Sequence, residues 1–163
     1  MKFIIWTQKA ISSLLFLGYV PLIPGTVGSA AVVFGLWYFQ TRTQAVISPL
    51  QWWIAVVALT ALSIVASSRP REVFGRDDPP QVIIDECAGQ LLTFFLVPLS
   101  LNTLLLGFLL FRFFDIIKPF PIYKLEEVEG GVGITMDDIA AGVFANISLL
   151  AILKGYHIVK AAL

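Results

Sequence analysis

Val97-Pro98-Leu99-Ser100-Leu101-Asn102 stands in the middle of an uncharged stretch that runs from Cys87 to Phe111. The stretch is long enough to cross a bilayer, which takes about 20 apolar residues in helical form. A straight span would leave Asp85-Glu86, just before it, and Arg112 and Asp115, just after it, on opposite sides of a membrane. Proline, however, removes a backbone donor and crowds the preceding turn. Pro98 lies 13 positions after Asp85, and Asp115 lies 13 positions after Asn102. Two arms of about 20 Å, at about 1.5 Å per residue, would make a helical hairpin that returns both acidic clusters to one side. We prefer this hairpin to a single Pro-kinked span in which Asp85-Glu86 is only a structural pair.

Working outward, the 163 residues are 58% hydrophobic and 13% charged, with a mean hydropathy of +0.86. That is too apolar for an ordinary soluble domain. Three further uncharged stretches, Ala10 to Thr41, Thr43 to Ser68 and Ile139 to Leu153, complete the pattern. The first two have spanning length, and the last falls short unless it continues past Lys154. The fold class expected is all-α, an integral membrane helical bundle with a Pro-turned hairpin and polar loops on the cytoplasmic face. No linker or repeat divides the chain, so one domain over residues 1–163 is expected.

The first stretch is interrupted by Pro21-Leu22-Ile23-Pro24-Gly25-Thr26-Val27-Gly28-Ser29, which predicts two helices, Phe3 to Tyr19 and Ser29 to Phe39, with Ser29 as an N-cap. The second predicts a span up to Ser67, with Trp52 and Trp53 as interfacial anchors. Pro119 and Pro121 end the helix that carries Asp115. A loop through Gly130-Gly131-Val132-Gly133 then leads to a last helix from Ile139 to about Val159, with Asp137-Asp138 at its start. Arg69, Arg71 and Arg76 in one loop, and Arg112, Lys118 and Lys124 in the next, place both on the cytoplasmic side by the positive-inside rule. Lys2 and Lys9 bracket Phe3-Ile4-Ile5-Trp6 with no small-residue cleavage site after it, so the N-terminus is not expected to be a cleaved signal.

Eleven cations balance eleven anions with no basic run, which argues against a nucleic-acid partner. Cys87 and His157 are single residues of their kinds, too few for a disulfide, a zinc site or histidine-based phosphoryl transfer. A cysteine phosphatase would need an arginine soon after the thiol, and six residues beyond Cys87 stands Thr93. The carboxylates Asp85, Glu86, Asp115, Asp137 and Asp138 lie at the ends of uncharged helices, where their oxygens suit a hard cation such as Mg²⁺. Acids at helix starts also cap, through free N–H groups and the macrodipole. Neighbouring helical positions diverge by about 100°, so both members of an adjacent pair are not expected to reach one ion. Arg112, Asp115 and Lys118 step by three along one helix side; Asp115 is either an ion-pair partner there, or a ligand or nucleophile with the two cations on phosphate oxygens. Thr26, Gly28 and Ser29 are candidate anion contacts at a glycine-flanked helix start.

Four segments in order, Pro24-Gly25-Thr26-Val27-Gly28-Ser29, Asp85-Glu86-Cys87-Ala88-Gly89, Phe111-Arg112-Phe113-Phe114-Asp115-Ile116-Ile117-Lys118-Pro119-Phe120-Pro121-Ile122 and Gly130 to Gly142, give the chain a pattern that resembles the phosphatidylglycerophosphatase A family. The resemblance covers nearly the whole chain. It implies an all-α, Mg²⁺-dependent, multi-pass phosphatase of the bacterial inner (cytoplasmic) membrane, with its active site facing the cytoplasm. The implied reaction takes phosphatidylglycerophosphate to phosphatidylglycerol and phosphate. The resemblance also implies catalytic and metal-binding roles for Asp85, Glu86, Asp115, Asp137 and Asp138, and a phosphate-binding role for Lys118. Alternatives are a Mg²⁺-dependent phosphatidyltransferase, which lacks its longer Asp-rich pattern here, and a non-catalytic membrane scaffold subunit.

Overall fold

Helix is the only regular structure among the described residues, 2–162 of the computed structural model. The side chains of Lys2, Phe3, Glu126, His157, Val159 and Ala162 lie outside the described set, so the lone His157 of the sequence is not placed. In chain order the helices are α1 (Lys2–Ser12), a 3₁₀ turn (Leu17–Tyr19), α2 (Pro24–Thr43), α3 (Pro49–Ala66), α4 (Pro70–Phe74), α5 (Ile84–Thr93), α6 (Leu101–Ile117), α7 (Ile122–Glu126) and α8 (Gly130–Ala162).

The hairpin forms, with unequal arms. α5 has 10 residues and α6 has 17, about 15 Å and 25 Å of helix instead of two arms near 20 Å. The helix gives way earlier than Pro98, at Phe94 to Leu96, where Leu96 takes a left-handed φ of 58°. α6 then starts on a capping box, Ser100 Oγ accepting from Thr103 N at 3.3 Å while Thr103 Oγ1 accepts from Ser100 N at 2.9 Å. Side chains from other helices donate to carbonyls at the bend. Asn146 Nδ2 donates to Thr93 O (2.9 Å) and Phe95 O (2.7 Å), and Trp52 Nε1 donates to Leu91 O (3.2 Å). Trp52 is therefore a buried tether and not an interfacial anchor, whereas Trp53 is 46% exposed.

Several boundaries differ from the sequence reading. α1 stops at Ser12, because Leu14, Leu15 and Phe16 all adopt left-handed φ, which costs about 1–2 kcal/mol per residue. Ser13 Oγ accepts from Phe16 N there (3.1 Å), and Ser12 O accepts from Ile83 N (2.9 Å), joining the turn to the start of α5. α2 begins at Pro24, since proline is tolerated in the first turn. Ser29 thus sits inside the helix, donating to Gly25 O (3.0 Å), and is not an N-cap. α8 begins at Gly130, seven positions before Asp137, so the glycine-rich loop is helical and Asp137-Asp138 lies two turns in.

α5 is the centre of the assembly. It packs on α8 above all, and also on α2, α3 and α6. Most of its length is buried, from Ile84 to Thr93. A Cβ on Gly89 would strike the backbone of Asp138, and one on Gly142 would strike the backbone of Gly89. The two backbones therefore touch at glycine, the close approach used where lipid cannot drive helices together. At the bend, Phe94, Val97, Leu104, Leu149 and Trp52 form the larger apolar core.

α3 (Pro49–Ala66) and α8 from Gly130 to Tyr156 are long and apolar enough to cross a membrane, with mean hydropathies of 1.8 and 1.6. Only 22% and 33% of their apolar windows are buried within the protein, so most of this surface faces outward. The first uncharged stretch supplies no such span among the described residues: it is split before Pro24, and α2, although 20 residues long, is not apolar enough.

Gly89→Ala should destabilise the protein by about 1–3 kcal/mol, the cost of overpacking a contact made by the Asp138 backbone and the buried Phe111 ring. Gly35→Ala, whose Cβ would meet nothing within 4 Å, should leave the thermal midpoint unchanged or raised, because alanine favours helix. Thermal unfolding of the two variants in detergent checks the contrast.

Candidate active site

The end of the bundle opposite the hairpin bend holds a cavity of about 560 Å³. The start of α2, the loop before α5, the first turn of α5, the last turn of α6 and the second turn of α8 all open into it. Its lining includes Thr26, Asp85, Glu86, Arg112, Asp115, Lys118, Asp137 and Asp138. The hairpin thus brings Asp85-Glu86 and Arg112-Asp115 to one place, as its two-armed reading requires.

Three of the acids converge. Asp85, Glu86 and Asp138 each present a carboxylate oxygen, and these oxygens lie within 4.8 Å of one another. Both members of the α5 pair take part, against the expectation from the 100° divergence of neighbours. Neither pair caps in the usual way. The N-cap position of α5 is Ile83, and Asp85 Oδ1 accepts from the next N–H, that of Glu86 (3.0 Å). Gly25 admits the arrangement, because a Cβ there would collide with the Glu86 carboxylate.

Burial sets the electrostatics. Asp85 is pushed up to about 6, chiefly by loss of solvent, with hydrogen bonds from Glu86 working the other way. Glu86 is raised well above its ordinary range by burial first, then by the charges of Asp85 and Asp115, with Arg112 opposing. Glu86 Oε2 and Asp137 Oδ1 are buried and have no hydrogen-bond partner within the protein. Buried carboxylates left crowded and unsatisfied are costly. A hard divalent cation fits this donor set of converging carboxylate oxygens.

The other two acids hold cations. Arg112 Nη1 lies 2.7 Å from Asp115 Oδ2 and 3.5 Å from Ser29 Oγ. Lys118, in a left-handed C-cap at the end of α6, places Nζ 2.8 Å from Asp137 Oδ2. The ion-pair alternative for Asp115 is the arrangement seen, and Asp115 and Asp137 stand beside the three-acid cluster and not within it. Of the anion contacts expected on α2, Thr26 lines the cavity, while Gly28 and Ser29 do not. Gly28 is buried against Ile83, and the Ser29 hydroxyl steadies Arg112. Cys87 is buried with Sγ 3.4 Å from Gly28 O, a packing position.

Sequence reasoning has Gly25 only as part of a glycine-flanked helix start, without its contact with Glu86, and does not single out the acidic rim of Asp77, Asp78, Glu127 and Glu129 that lines the cavity mouth. The adjacent pair Asp77-Asp78 just before Pro79-Pro80 was a readable signal for part of it.

Residues 10–153 match the family described as Phosphatidylglycerophosphatase A. The chain belongs to the phosphatidylglycerophosphatase A family. Its class of chemistry is phosphatase action on a phosphate monoester. Among similar proteins, a phosphatidylglycerophosphatase A of Escherichia coli is 33% identical over 131 residues, covering 78% of this chain and 73% of its own. One of Haemophilus influenzae is 44% identical over 80 residues, covering 48% and 49%. A Bacteroides thetaiotaomicron protein, provisionally named a phosphatidylinositol-3-phosphatase, is 35% identical over 144 residues, covering 84% and 87%. No solved structure matches the chain. Membership in this family sets aside the phosphatidyltransferase and scaffold alternatives.

In this member of the family, stability with divalent cations chelated should fall as pH rises from the ordinary aspartate value of 3.8 through about 6. The unfolded chain releases its carboxyl protons first, so rising pH favours it until the folded groups ionise as well. Glu86→Gln should flatten that slope and raise the midpoint at neutral pH. Thermal unfolding in EDTA across this range checks both.

Proposed function

We propose that the chain removes the terminal phosphate of phosphatidylglycerophosphate at a bacterial inner membrane, with the cavity on the cytoplasmic side and Mg²⁺ held by Asp85, Glu86 and Asp138. The observation that carries this reading is the meeting of three carboxylates from α5 and α8, those of the buried Asp85 and Asp138 and the half-buried Glu86, in one cavity with Arg112 and Lys118. A phosphomonoester dianion needs cations on its oxygens and a metal beside them, and the cavity offers places for both.

A bound Mg²⁺ would supply Lewis acidity toward the phosphoryl oxygens. Arg112, oriented by Asp115 and Ser29, and Lys118, oriented by Asp137, would bind the remaining oxygens and offset charge that builds as the ester bond breaks. Either a water beside Asp115 would displace the lipid alcohol from phosphorus directly, or Asp115 would do so and water would then hydrolyse the aspartyl phosphate, releasing phosphate and restoring the carboxylate. The outward apolar faces of α3 and α8 support a bilayer location, since exposed apolar surface of this extent needs a covering. Arginines of the Arg69 to Arg76 loop lie at the cavity end, as the positive-inside rule asks of a cytoplasmic face.

A second reading concerns the lipid. The Bacteroides relative is named for a phosphatidylinositol phosphate, and the same cluster would serve a phosphomonoester on an inositol ring.

Phosphate release by the purified protein from phosphatidylglycerophosphate, phosphatidylinositol-3-phosphate and phosphatidic acid, each with Mg²⁺ or EDTA, tests both readings. Mg²⁺-dependent release from the first lipid is expected, and release from the second alone would transfer the assignment. Asp85→Asn, Glu86→Gln and Asp138→Asn should each lower kcat by about 10²–10³. They should also abolish the stabilisation of about 2.7 kcal/mol that Mg²⁺ gives at a hundredfold excess over its Kd. Lys118→Ala should keep the Mg²⁺ stabilisation while lowering kcat and raising KM. Near-normal turnover in the three acid variants would sink the proposal.

A further inference from the structure

A second cavity, about 260 Å³ and lined almost wholly by apolar atoms, lies between α2 and α6. Its walls are two matching stripes. Ala30, Val33, Phe34 and Trp37 step by three, four and seven along α2, and Leu101, Leu104, Leu105 and Phe108 repeat the same spacing on α6. Each stripe is about 10 Å long at about 1.5 Å per residue. Two such stripes ordinarily close on each other. Here they leave a groove, with Phe34 63% exposed, Leu101 57% and Leu105 51%.

The groove lies next to the candidate active site along both helices, one turn beyond Thr26 on α2 and one turn before Arg112 on α6. Ala30 follows Ser29, whose hydroxyl lies 3.5 Å from Arg112 Nη1, and Phe108 stands one turn before Arg112 on α6. α2 starts at the polar cavity and runs away from it, while α6 runs toward it, so both stripes lead from the Arg112 guanidinium toward the hairpin bend. A ligand with an anionic phosphate at one end and a hydrocarbon at the other matches this order of surfaces. Bulk lipid has no reason to respect it.

From this we infer that the α2–α6 groove holds one acyl chain of the lipid whose phosphate lies against Arg112 and Lys118. The inference rests on the reading of the substrate as a lipid phosphomonoester. The groove aligns the headgroup, so chain binding contributes to orientation at the phosphate as well as to affinity.

Two measurements test it on the full-length protein in detergent. Ala30→Trp fills the groove at its active-site end from an exposed helical position. It should lower the ratio of kcat/KM for the long-chain lipid to that for its deacylated headgroup by about tenfold, the scale on which apolar pockets discriminate. An unchanged ratio overturns the groove. In the second measurement, phosphatidylglycerophosphate with a diazirine in one acyl chain is cross-linked by light and the adducts are mapped. Adducts concentrated in residues 30–37 and 101–108, displaced by unlabelled phosphatidylglycerophosphate but not by phosphatidylcholine, are expected. Adducts spread over the outer faces of α3 and α8, or equally displaced by phosphatidylcholine, mean bulk lipid contact and overturn it. Their absence from both stripes, as when a second copy covers this face, overturns it too. Displaceable adducts without phosphate release would keep the groove and refute the phosphatase reading; release with an unchanged ratio would do the reverse.

Discussion

The contact of Gly89 with Asp138 and Gly142 is the constraint on which the rest of the structure depends. It brings the backbones of α5 and α8 together with no side chain between them, one turn above Asp85 and Glu86 and beside Asp138. The three-acid cluster exists because of that distance. A side chain at either glycine would push the helices apart and separate the oxygens that a cation would share. Gly25 does the same on the other side of α5, leaving room for the Glu86 carboxylate under the first turn of α2.

Placing five carboxylates at the end of an apolar bundle is costly unless each finds a partner. Asp115 and Asp137 find Arg112 and Lys118, the two cations of one helix end. Asp85, Glu86 and Asp138 find chiefly each other. This division explains why Asp85 and Glu86 are drawn toward the neutral form, and why the same geometry that is unfavourable alone favours a divalent guest. The far end of the bundle is organised by the opposite need. There the broken hairpin exposes carbonyls with little water to meet them, and Asn146 and Trp52 supply the donors.

Much of this was legible in the order of charged and uncharged residues. Pro98 in mid-stretch, with acids equally far on either side, was enough to fold the chain back and join Asp85-Glu86 to Asp115. The arms were judged equal because only proline was read as a breaker, whereas burial of Phe94 and a left-handed Leu96 end α5 sooner. Gly130-Gly131-Val132-Gly133 looked like a loop because glycine weakens isolated helices. In place, Gly131 lies against the backbone of Ile64 and Ser67, so closeness to α3 decides, and not propensity. Trp52 and Asn146 carried no pattern that would reveal which distant carbonyl they serve. The reversal through Leu14, Leu15 and Phe16 contains neither glycine nor proline and offered no signal at all. The pairing of Asp115 with Arg112 was one of two readings of a three-residue step, and spacing alone does not choose between an ion pair and a ligand.

α5 has helices on every side, with α8, α2, α3 and α6 as its neighbours. In a bilayer it would therefore be insulated from lipid. Changes in membrane thickness act on proteins through the tilt and exposed length of their outer helices, here α3, α6 and α8. The short inner helix that carries Asp85 and Glu86 would feel them only through its packing, whereas Asp138 rides on α8, so a change of thickness would reach the three-acid cluster from the α8 side alone.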